Sequence, residues 1–305
     1  MDKINSKLVK LKNILKSLKS VVVAYSGGVD STFLLKAALE ALGRDNVLAV
    51  TARSETYPAS EYKDACRLAK DLGARRITIS TEELKIENFK ANPVNRCYYC
   101  KDELFGKLKG LAAKYNLSYV VDGANADDLK DIRYGMQAAR VLGVRSPLLE
   151  AKITKSEIRK FSKALKLPTW DKPSFACLAS RFPFYDNITK ENLDRIDRAE
   201  SFLRRLGFKQ VRLRLHKDIA RLEFYKADFK RLLNENIRDR IVRKLKGLGF
   251  KYIALDLEGY RTGSMHEPYA AFSLPNRIKA IAARRQVLEN SKKACAANPS
   301  PGIRS

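Results

Sequence analysis

Long apolar runs are missing from this 305-residue sequence. No stretch approaches the roughly 18 consecutive apolar residues that a membrane-spanning helix needs. Residues 1–20 alternate lysine with leucine and isoleucine, which is typical of an amphipathic helix and not of the unbroken apolar segment of a signal peptide. The sequence therefore predicts a cytoplasmic protein without a membrane span.

Acidic residues are scarce relative to basic ones. The chain has 34 Asp and Glu against 60 Lys and Arg, a formal net charge of +26. Such an excess favours polyanionic partners such as nucleic acid, nucleotides or acidic metabolites. A lysine-rich surface without any such partner would give the same charge, so the charge alone does not name the partner.

The chain has five cysteines and two histidines, and it contains a single C-x2-C pair. Cysteines of a cytoplasmic protein are not expected to form disulfides. Cys97 and Cys100 follow Asn92-Pro-Val-Asn95 at a predicted helix start, where residues three apart share one face and thiolates are favoured. Half of a zinc site, a redox pair and simple packing all remain open, although tetrahedral zinc would lack a second C-x2-C pair. We expect Cys66 to pack in the core and Cys295, in the tail, to have no role.

Strands and helices alternate through the first half of the sequence. This order predicts an α/β fold with a Rossmann-like parallel sheet, formed by residues 1–183. After residue 184 the order becomes helix, strand, strand, helix, strand, which predicts a smaller α+β domain over 184–270. Residues 271–305 are expected to be a helical or disordered tail. The expected elements of the second domain are a helix over 189–206, strands over 210–216 and 219–225, a helix over 227–245 and a strand over 251–257.

The strongest local motif is Ser26-Gly27-Gly28-Val29-Asp30-Ser31, between the first predicted strand and a helix. A glycine turn before a helix N-terminus presents backbone N–H groups and a positive dipole end to an oxyanion. The Walker sequence G-x4-G-K-[ST] is absent. The motif therefore predicts a loop that grasps pyrophosphate and supports cleavage of ATP between its α- and β-phosphates, with Asp30 holding Mg²⁺.

Two further segments end predicted strands: residues 51–53 end the second strand, and residues 122–128 end a later one. Ligands of open parallel sheets bind beyond the carboxyl ends of the strands. We therefore expect Arg53, Gly123 and Asp127 to line the same ATP crevice.

Arg212 and Arg214 share one face of the strand predicted over 210–216. On that face they either point to solvent or bind a phosphate through two guanidinium groups.

The six-residue loop resembles that of the PP-loop ATP pyrophosphatases. Three more segments narrow this resemblance, namely residues 122–128, 168–183 and 255–265. They resemble the LarE family of ATP-dependent sulfur transferases, which act in nickel-pincer nucleotide cofactor biosynthesis. Two positions depart from the pattern of that family. Tyr185-Asp186 stands where the family pattern has a glycine turn, and His266 stands where it has Asn.

The resemblance implies an adenylation of carboxylates on pyridinium-3,5-biscarboxylic acid mononucleotide, followed by their conversion to thiocarboxylates. It implies ATP binding by Ser26, Gly27, Gly28, Asp30 and Ser31, with Asp30 and Cys177 catalytic. The implied substrate-binding residues are Ser180, Arg181, Glu200, Arg212, Arg214 and Glu223. The resemblance also implies a homo-oligomer, but it does not identify the sulfur donor.

The number of cysteines separates two branches of this resemblance. Three thiolates, Cys97, Cys100 and Cys177, can ligate three irons of a [4Fe–4S] cluster and leave the fourth iron to bind hydrosulfide. The alternative is that Cys177 gives up its own sulfur while the C-x2-C pair is structural. Two other functions stay open: a tRNA thiolation enzyme of the PP-loop class, which the basic charge would suit, and a nucleotide-binding regulator without catalysis.

Overall fold

The computed structural model describes residues 2–130, 134–173, 176–261 and 263–265. Cys295, His266 and the predicted tail over 271–305 lie outside these residues. The described residues up to Tyr260 form one compact unit. Within the described residues, no helix is long and apolar enough to cross a bilayer. The proposed division of the chain at residue 183 remains a prediction.

The first part of the chain contains a four-stranded parallel sheet in the order β3-β2-β1-β4, flanked by helices. The predicted Rossmann-like α/β class is therefore confirmed. Its elements are α1 (Asp2–Leu18), β1 (Val21–Ala24), α2 (Val29–Leu42), β2 (Val47–Arg53), α3 (Ala59–Asp71), β3 (Arg75–Ser80), α4 (Glu87–Lys90), α5 (Arg96–Lys114), β4 (Tyr119–Val121), α6 (Tyr134–Val141), α7 (Pro147–Glu150) and α8 (Lys155–Ala164).

Strand β1 is buried on both faces, as its valine run predicts for a parallel sheet covered by helices. Val21 and Val23 pack in the core cluster shared with α1, α2 and α8. Val22 points the other way and packs with residues of α5. The sheet therefore has a hydrophobic layer on each face, and the loop after β1 emerges at its carboxyl edge.

A second, three-stranded sheet follows in the order β5-β6-β7. Strands β5 and β6 pair as an antiparallel hairpin, whereas β7 runs parallel to β6. The elements of this part are α9 (Lys190–Arg205), β5 (Val211–His216), β6 (Ile219–Phe224), α10 (Phe229–Leu232), α11 (Glu235–Lys246) and β7 (Tyr252–Leu255). Leucine and phenylalanine side chains of α9, α11 and the hairpin form a separate core cluster there.

The single helix expected over 227–245 is interrupted, so that prediction was wrong in its continuity. A short helix α10 ends at Leu232, and α11 starts after Asn234. The Asn234 side chain accepts a hydrogen bond from the Ile237 N–H (3.2 Å) and thereby caps the new helix. Asparagine is a strong N-cap residue, and the apolar periodicity on either side of it concealed the break.

Candidate active site

The loop between β1 and α2 is closed by hydrogen bonds among its own serines. The Ser26 N–H donates to Ser31 Oγ (3.2 Å), and the two hydroxyls lie 3.1 Å apart. Helix α2 begins at Val29, which places Asp30 and Ser31 in its first turn. Its N-cap, Gly28, makes no side-chain capping hydrogen bond. The helix therefore offers its first N–H groups at the carboxyl edge of the sheet, as anion binding requires.

Two glycines allow other segments to approach this loop closely. Gly27 has φ +63°, and a Cβ built there would lie 2.7 Å from Ala65 Cβ on α3. A Cβ on Gly123 would lie 3.2 Å from the Ser31 nitrogen and 3.3 Å from Asp30 Cβ. The segment after β4 therefore packs directly on the first turn of α2, as the crevice prediction for Gly123 requires.

Asp30 is paired with a lysine that the sequence analysis did not single out. Lys155 Nζ donates a hydrogen bond to Asp30 Oδ2, and the two side chains are only partly exposed. Asp30 Oδ1 is buried and has no hydrogen-bond partner among the described residues. Burial raises the pKa of Asp30, and the charge of Lys155 opposes that rise. The free carboxylate oxygen and the chemistry of the group suit a hard divalent cation such as Mg²⁺.

The side chain of Asp127 contacts the backbone of Lys155, the lysine of this pair. Its Oδ2 accepts a hydrogen bond from the Lys155 N–H (2.9 Å) at the start of α8. Asn125 supports it, because the Asp127 N–H donates to Asn125 Oδ1 (3.0 Å). The predicted ATP-binding residue Asp127 therefore positions the lysine that contacts Asp30.

The remaining predicted nucleotide residue, Arg53, is the last residue of β2. Its guanidinium lies over the Tyr62 ring, 5.6 Å from the centroid. The adjacent segment reaches the loop, since the Tyr57 hydroxyl donates to the Ser26 carbonyl oxygen (2.7 Å). Arg53 is thus on the expected edge of the sheet, and its contact with ATP remains a prediction.

A second lysine ties the loop to the segment that leads to Cys177. Lys172 Nζ donates to the Gly27 carbonyl oxygen (3.3 Å) and pairs with Glu61 (2.7 Å). Arg159 on α8 donates to the carbonyl oxygens of Trp170 and Lys172, both at 2.8 Å. The segment before Cys177 is therefore fastened to the phosphate loop and to α8 together.

The three predicted sulfur ligands come from two parts of the chain. Cys97 and Cys100 lie in the first turns of α5, and Cys177 precedes a 3₁₀ turn over Leu178–Arg181. Cys97 and Cys177 are exposed, and none of the three forms a disulfide. Among the described residues, no three or more Cys, His, Asp or Glu side chains are gathered closely enough to hold a metal ion.

The environment of Cys100 differs from the expectation. Burial first, then the carboxylate of Glu83, raises the pKa of this thiol, and Cys177 and Cys97 add to the rise. This direction is opposite to the one expected from the helix start: burial is its main cause, and Glu83 Oε1 lies 3.8 Å from the Cys100 sulfur. Glu83 itself is buried, and its Oε2 has no described hydrogen-bond partner. Because the described side chains do not gather into a metal site, the ligation of an iron–sulfur cluster by Cys97, Cys100 and Cys177 remains a prediction.

Arg181 is fully buried, at 0% exposure. Its Nε and Nη2 form a bidentate pair with Glu200, at 2.8 and 2.9 Å. Its Nη1 donates to the carbonyl oxygens of Ala176 (2.8 Å) and Cys177 (3.1 Å). Arg181 therefore anchors the backbone around Cys177, and its predicted contact with a substrate phosphate stays a prediction.

Arg212 and Arg214 are buried at 3% and 5% exposure, so they do not form the solvated strand face that was one of the two expectations. Arg214 pairs with Glu223 (2.9 Å) and donates to the Ser180 carbonyl oxygen (2.9 Å). Burial, followed by the charge of Arg181, lowers the pKa of Arg212 to about 10. The contact of Arg212 and Arg214 with a substrate phosphate remains a prediction.

Lys155, Lys172 and Glu83 were missed by the sequence analysis. Thr154 and Glu157 form a capping box, and this T-x-x-E pattern could have located the start of α8. The pattern could not have indicated that Lys155 meets Asp30, because the two residues are 125 positions apart.

Comparison with known proteins places the chain among sequences of similar length. A family model described as NAD synthase matches residues 4–97. An uncharacterized protein of Synechocystis is 43% identical over 263 residues, covering 86% of this chain and 98% of its own length. An uncharacterized protein of Methanocaldococcus jannaschii is 33% identical, covering 84% of this chain and 98% of its own length.

The pyridinium-3,5-bisthiocarboxylic acid mononucleotide synthase of Lactiplantibacillus plantarum is 40% identical over 267 residues, covering 88% of this chain and 96% of its own length. The resemblance found in the motifs thus extends over nearly the whole of that relative. The chain belongs to the LarE family, that of this synthase.

Proposed function

We propose that this protein is an ATP-dependent sulfur transferase that converts the carboxylates of pyridinium-3,5-biscarboxylic acid mononucleotide to thiocarboxylates. The phosphate loop carries the proposal: an uncapped helix start, closed by Ser26 and Ser31 and packed under Gly123, beside a carboxylate with one free oxygen. The 40% identical synthase of Lactiplantibacillus plantarum supports the substrate class.

In the first step, a substrate carboxylate oxygen attacks the α-phosphorus of ATP and pyrophosphate leaves. The N–H groups at the start of α2 and the Ser26 and Ser31 hydroxyls are placed to receive the negative charge of pyrophosphate. Asp30, through its unpartnered Oδ1, would hold the Mg²⁺ that accompanies the nucleotide. The product is an acyl-adenylate, whose carbon is open to attack by sulfur.

In the second step, a sulfur nucleophile attacks the acyl carbon and AMP leaves, so that a thiocarboxylate forms. Cys177 follows the segment that Lys172 fastens to the loop and Arg159 fastens to α8. The attacking sulfur is proposed to be hydrosulfide held near Cys177; if Cys177 itself attacks, its Cβ–S bond must then break and leave dehydroalanine. The phosphate of the substrate is proposed to be held by Ser180, Arg181, Arg212 and Arg214, with Glu200 and Glu223 balancing the charges of Arg181 and Arg214.

The sulfur carrier is proposed to be a [4Fe–4S] cluster ligated by Cys97, Cys100 and Cys177. Such a cluster would supply an open iron site for hydrosulfide, so that no side chain would be consumed. Two of these cysteines share the first turns of α5, and Cys177 precedes the 3₁₀ turn over Leu178–Arg181. The sulfur donor that recharges the site is not specified by these observations.

The activity test uses anaerobically purified protein with ATP, Mg²⁺, sulfide and the biscarboxylic mononucleotide. We expect pyrophosphate and AMP in step with thiocarboxylate over several turnovers. Asp30→Asn should lower the rate at least about 100-fold, since it removes the charge that holds Mg²⁺, whereas the exposed Asp45→Asn should not. Pyrophosphate release without thiocarboxylate, with tRNA thiolated instead, would favour the tRNA enzyme that the +26 charge also suits.

The cluster test measures iron and acid-labile sulfide in the same protein. About four irons per chain are expected, lost in Cys97→Ala, Cys100→Ala and Cys177→Ala and retained in Cys66→Ala. Iron-free protein that turns over once and leaves dehydroalanine at Cys177 would replace this proposal with a sacrificial cysteine.

A further inference from the structure

A short segment between β2 and α3, residues 54–59, contacts both halves of the candidate active site. On one side, the Tyr57 hydroxyl donates to the Ser26 carbonyl oxygen of the phosphate loop (2.7 Å). On the other side, the Thr56 carbonyl oxygen accepts a hydrogen bond from the backbone N–H that follows Cys177 (2.8 Å). The segment therefore connects the loop where pyrophosphate is expected to leave with the turn where sulfur is expected to attack.

The end of this segment is held by a carboxylate on α9. Asp197 Oδ2 accepts a hydrogen bond from the N–H of Ala59 (3.4 Å), the first residue of α3. The N-cap of α3 is Pro58, which makes no side-chain capping hydrogen bond. Asp197 therefore supplies, from another element, the acceptor and the negative charge that the start of a helix favours.

The same helix α9 also fixes the backbone around Cys177. Glu200 forms the bidentate pair with Arg181, and Arg181 donates to the Cys177 carbonyl oxygen (3.1 Å). Glu200 lies one helical turn after Asp197, so the two carboxylates lie on the same side of α9. One carboxylate holds the start of α3, and the other holds the turn that carries Cys177. A shift of α3 relative to α9 would therefore also shift the phosphate loop relative to Cys177.

Helix α3 is coupled to the phosphate loop by close packing. A Cβ built on Gly27 of the loop would lie only 2.7 Å from the Cβ of Ala65 on α3. Ala65 belongs to the core cluster of the parallel sheet, whereas Ile196 and Ala199 of α9 belong to the cluster of the second sheet. Because the two helices are held by different cores, the Asp197 contact can be lost without opening either core.

We propose that Asp197 is a positioning residue for sulfur transfer: by holding the start of α3, it keeps the phosphate loop and Cys177 at the separation at which the acyl-adenylate meets the attacking sulfur. This inference rests on the proposed function, and Asp197 acts in it only through Tyr57 and the backbone after Cys177. Without the carboxylate, the acyl-adenylate still forms, but water attacks its carbonyl carbon in place of sulfur. That attack releases AMP and a proton and returns the substrate carboxylate, so ATP is consumed without thiocarboxylate.

The test measures pyrophosphate release and thiocarboxylate formation in the same reaction, with the anaerobically purified full chain, ATP, Mg²⁺, sulfide and the biscarboxylic mononucleotide. Asp197→Ala should keep pyrophosphate release within about 2-fold of the wild type but slow thiocarboxylate formation by about 10- to 100-fold, the effect of a misplacement of about 1 Å. Asp197→Asn keeps an oxygen acceptor for the Ala59 N–H and should stay within about 3-fold of the wild type in both rates. Asp194→Ala, exposed on the same helix, should match the wild type.

Two further measurements separate positioning from a general loss of structure. The urea midpoint of Asp197→Ala should stay close to that of the wild type, because the two helices pack in separate cores. Tyr57→Phe removes the hydroxyl that contacts Ser26 and should also raise the ratio of pyrophosphate to thiocarboxylate. The double variant should raise this ratio no further than the larger single effect, because both changes break the same series of contacts.

Three results would overturn the inference. The contact is only structural if Asp197→Ala forms pyrophosphate and thiocarboxylate in the wild-type ratio, or if both rates fall together. Additive effects of Asp197→Ala and Tyr57→Phe would show that the two residues act independently. A wild type that neither releases pyrophosphate nor forms thiocarboxylate is a different result, since the proposed function itself then fails.

Discussion

At the scale of single residues, the phosphate loop depends on a glycine, Gly27, whose backbone and surroundings both disfavour a side chain. Gly27 combines a left-handed backbone with a close approach to Ala65, and each of these features alone disfavours a side chain. The sequence indicates that the position is a turn, but only the packing of α3 shows that even a methyl group has no room.

Gly27→Ala should therefore destabilise the protein more than the same change at a glycine with open surroundings. Gly73 is the matched control, because its φ is +68° and nothing lies within 4 Å of its built Cβ. We expect Gly73→Ala to lower the free energy of unfolding by about 1 kcal/mol, because of the left-handed backbone. Gly27→Ala should lower it by about 2–4 kcal/mol, because backbone strain and overpacking add together. Urea unfolding measures both; equal losses would show that α3 gives way freely.

Buried charges are the other feature at this scale. Burial by itself would raise the pKa of Glu200, but the charge and hydrogen bonds of Arg181, assisted by Arg212 and Arg204, lower it to about 2. In the unfolded chain a glutamate titrates at about 4.3. The ionised Glu200 therefore stabilises the fold above pH about 4.3, and this contribution is lost as the pH falls towards 2.

Glu200→Gln should lower the free energy of unfolding by about 3–5 kcal/mol at pH 7, since it leaves Arg181 buried without its counter-charge. The difference between variant and wild type should shrink as the pH is lowered from about 4 to about 2. Glu191→Gln, exposed in the first turn of the same helix, should show neither effect. A cost that stays constant over this pH range would mean that Glu200 acts through shape and not through charge.

At the scale of elements, helix starts decide where the functional side chains lie. Helix α2 begins without a side-chain cap and leaves its N–H groups open, whereas α8 begins with a capping box that fixes Lys155. The contrast follows from the residues, because Gly28 has no side chain to cap with, whereas Thr154 and Glu157 cap each other reciprocally.

The cap at Asn234 offers a test of the one helix whose continuity the sequence analysis misjudged. Asn234→Ala removes the acceptor for the Ile237 N–H and should lower the free energy of unfolding by about 1 kcal/mol. The exposed Asn187→Ala serves as the control and should change it by less than about 0.5 kcal/mol. Equal effects in urea titrations would show that Asn234 only interrupts the helix and does not cap α11.

At the scale of the whole molecule, Asn92 joins the two parts of the chain that carry the cysteines. It is fully buried and has φ +53°. Its Nδ2 donates to the Pro183 carbonyl oxygen (2.6 Å), and its Oδ1 accepts from Arg96 (2.7 Å) at the start of α5. Its own carbonyl oxygen accepts from the Tyr185 N–H (2.9 Å). Tyr185 has φ +70°, so the turn expected of glycine forms there without one.

Asn92→Ala should lower the free energy of unfolding by about 2–4 kcal/mol, because Arg96 and Pro183 lose buried partners. Asn116→Ala is the matched control: it has φ +51° but is exposed, and should lose about 1 kcal/mol or less. The rate at which Cys97 reacts with iodoacetamide should also rise in Asn92→Ala, since its helix start loosens. If both the stability and the reactivity of Cys97 were unchanged, Asn92 would not be needed to hold the segments that carry the cysteines.

The sequence by itself determined the elements and motifs that depend on neighbouring residues. The parallel sheet follows from apolar runs that alternate with helical periodicity, and the phosphate loop follows from six consecutive residues whose backbone requirements are local. The resemblance to the LarE family rests on such contiguous segments as well. Local propensity and chain geometry act within a few residues, so these features can be read along the chain.

Only the tertiary structure decided which charges meet. Strand β5 alternates apolar and charged residues as a half-exposed strand would, yet Arg212 and Arg214 are buried against acidic partners from other segments. Lys155 meets Asp30, and Glu83 meets Cys100, through packing of elements that are distant in sequence. Pairing energy between charges depends on their separation and desolvation in space, and neither quantity is encoded at any one position of the chain.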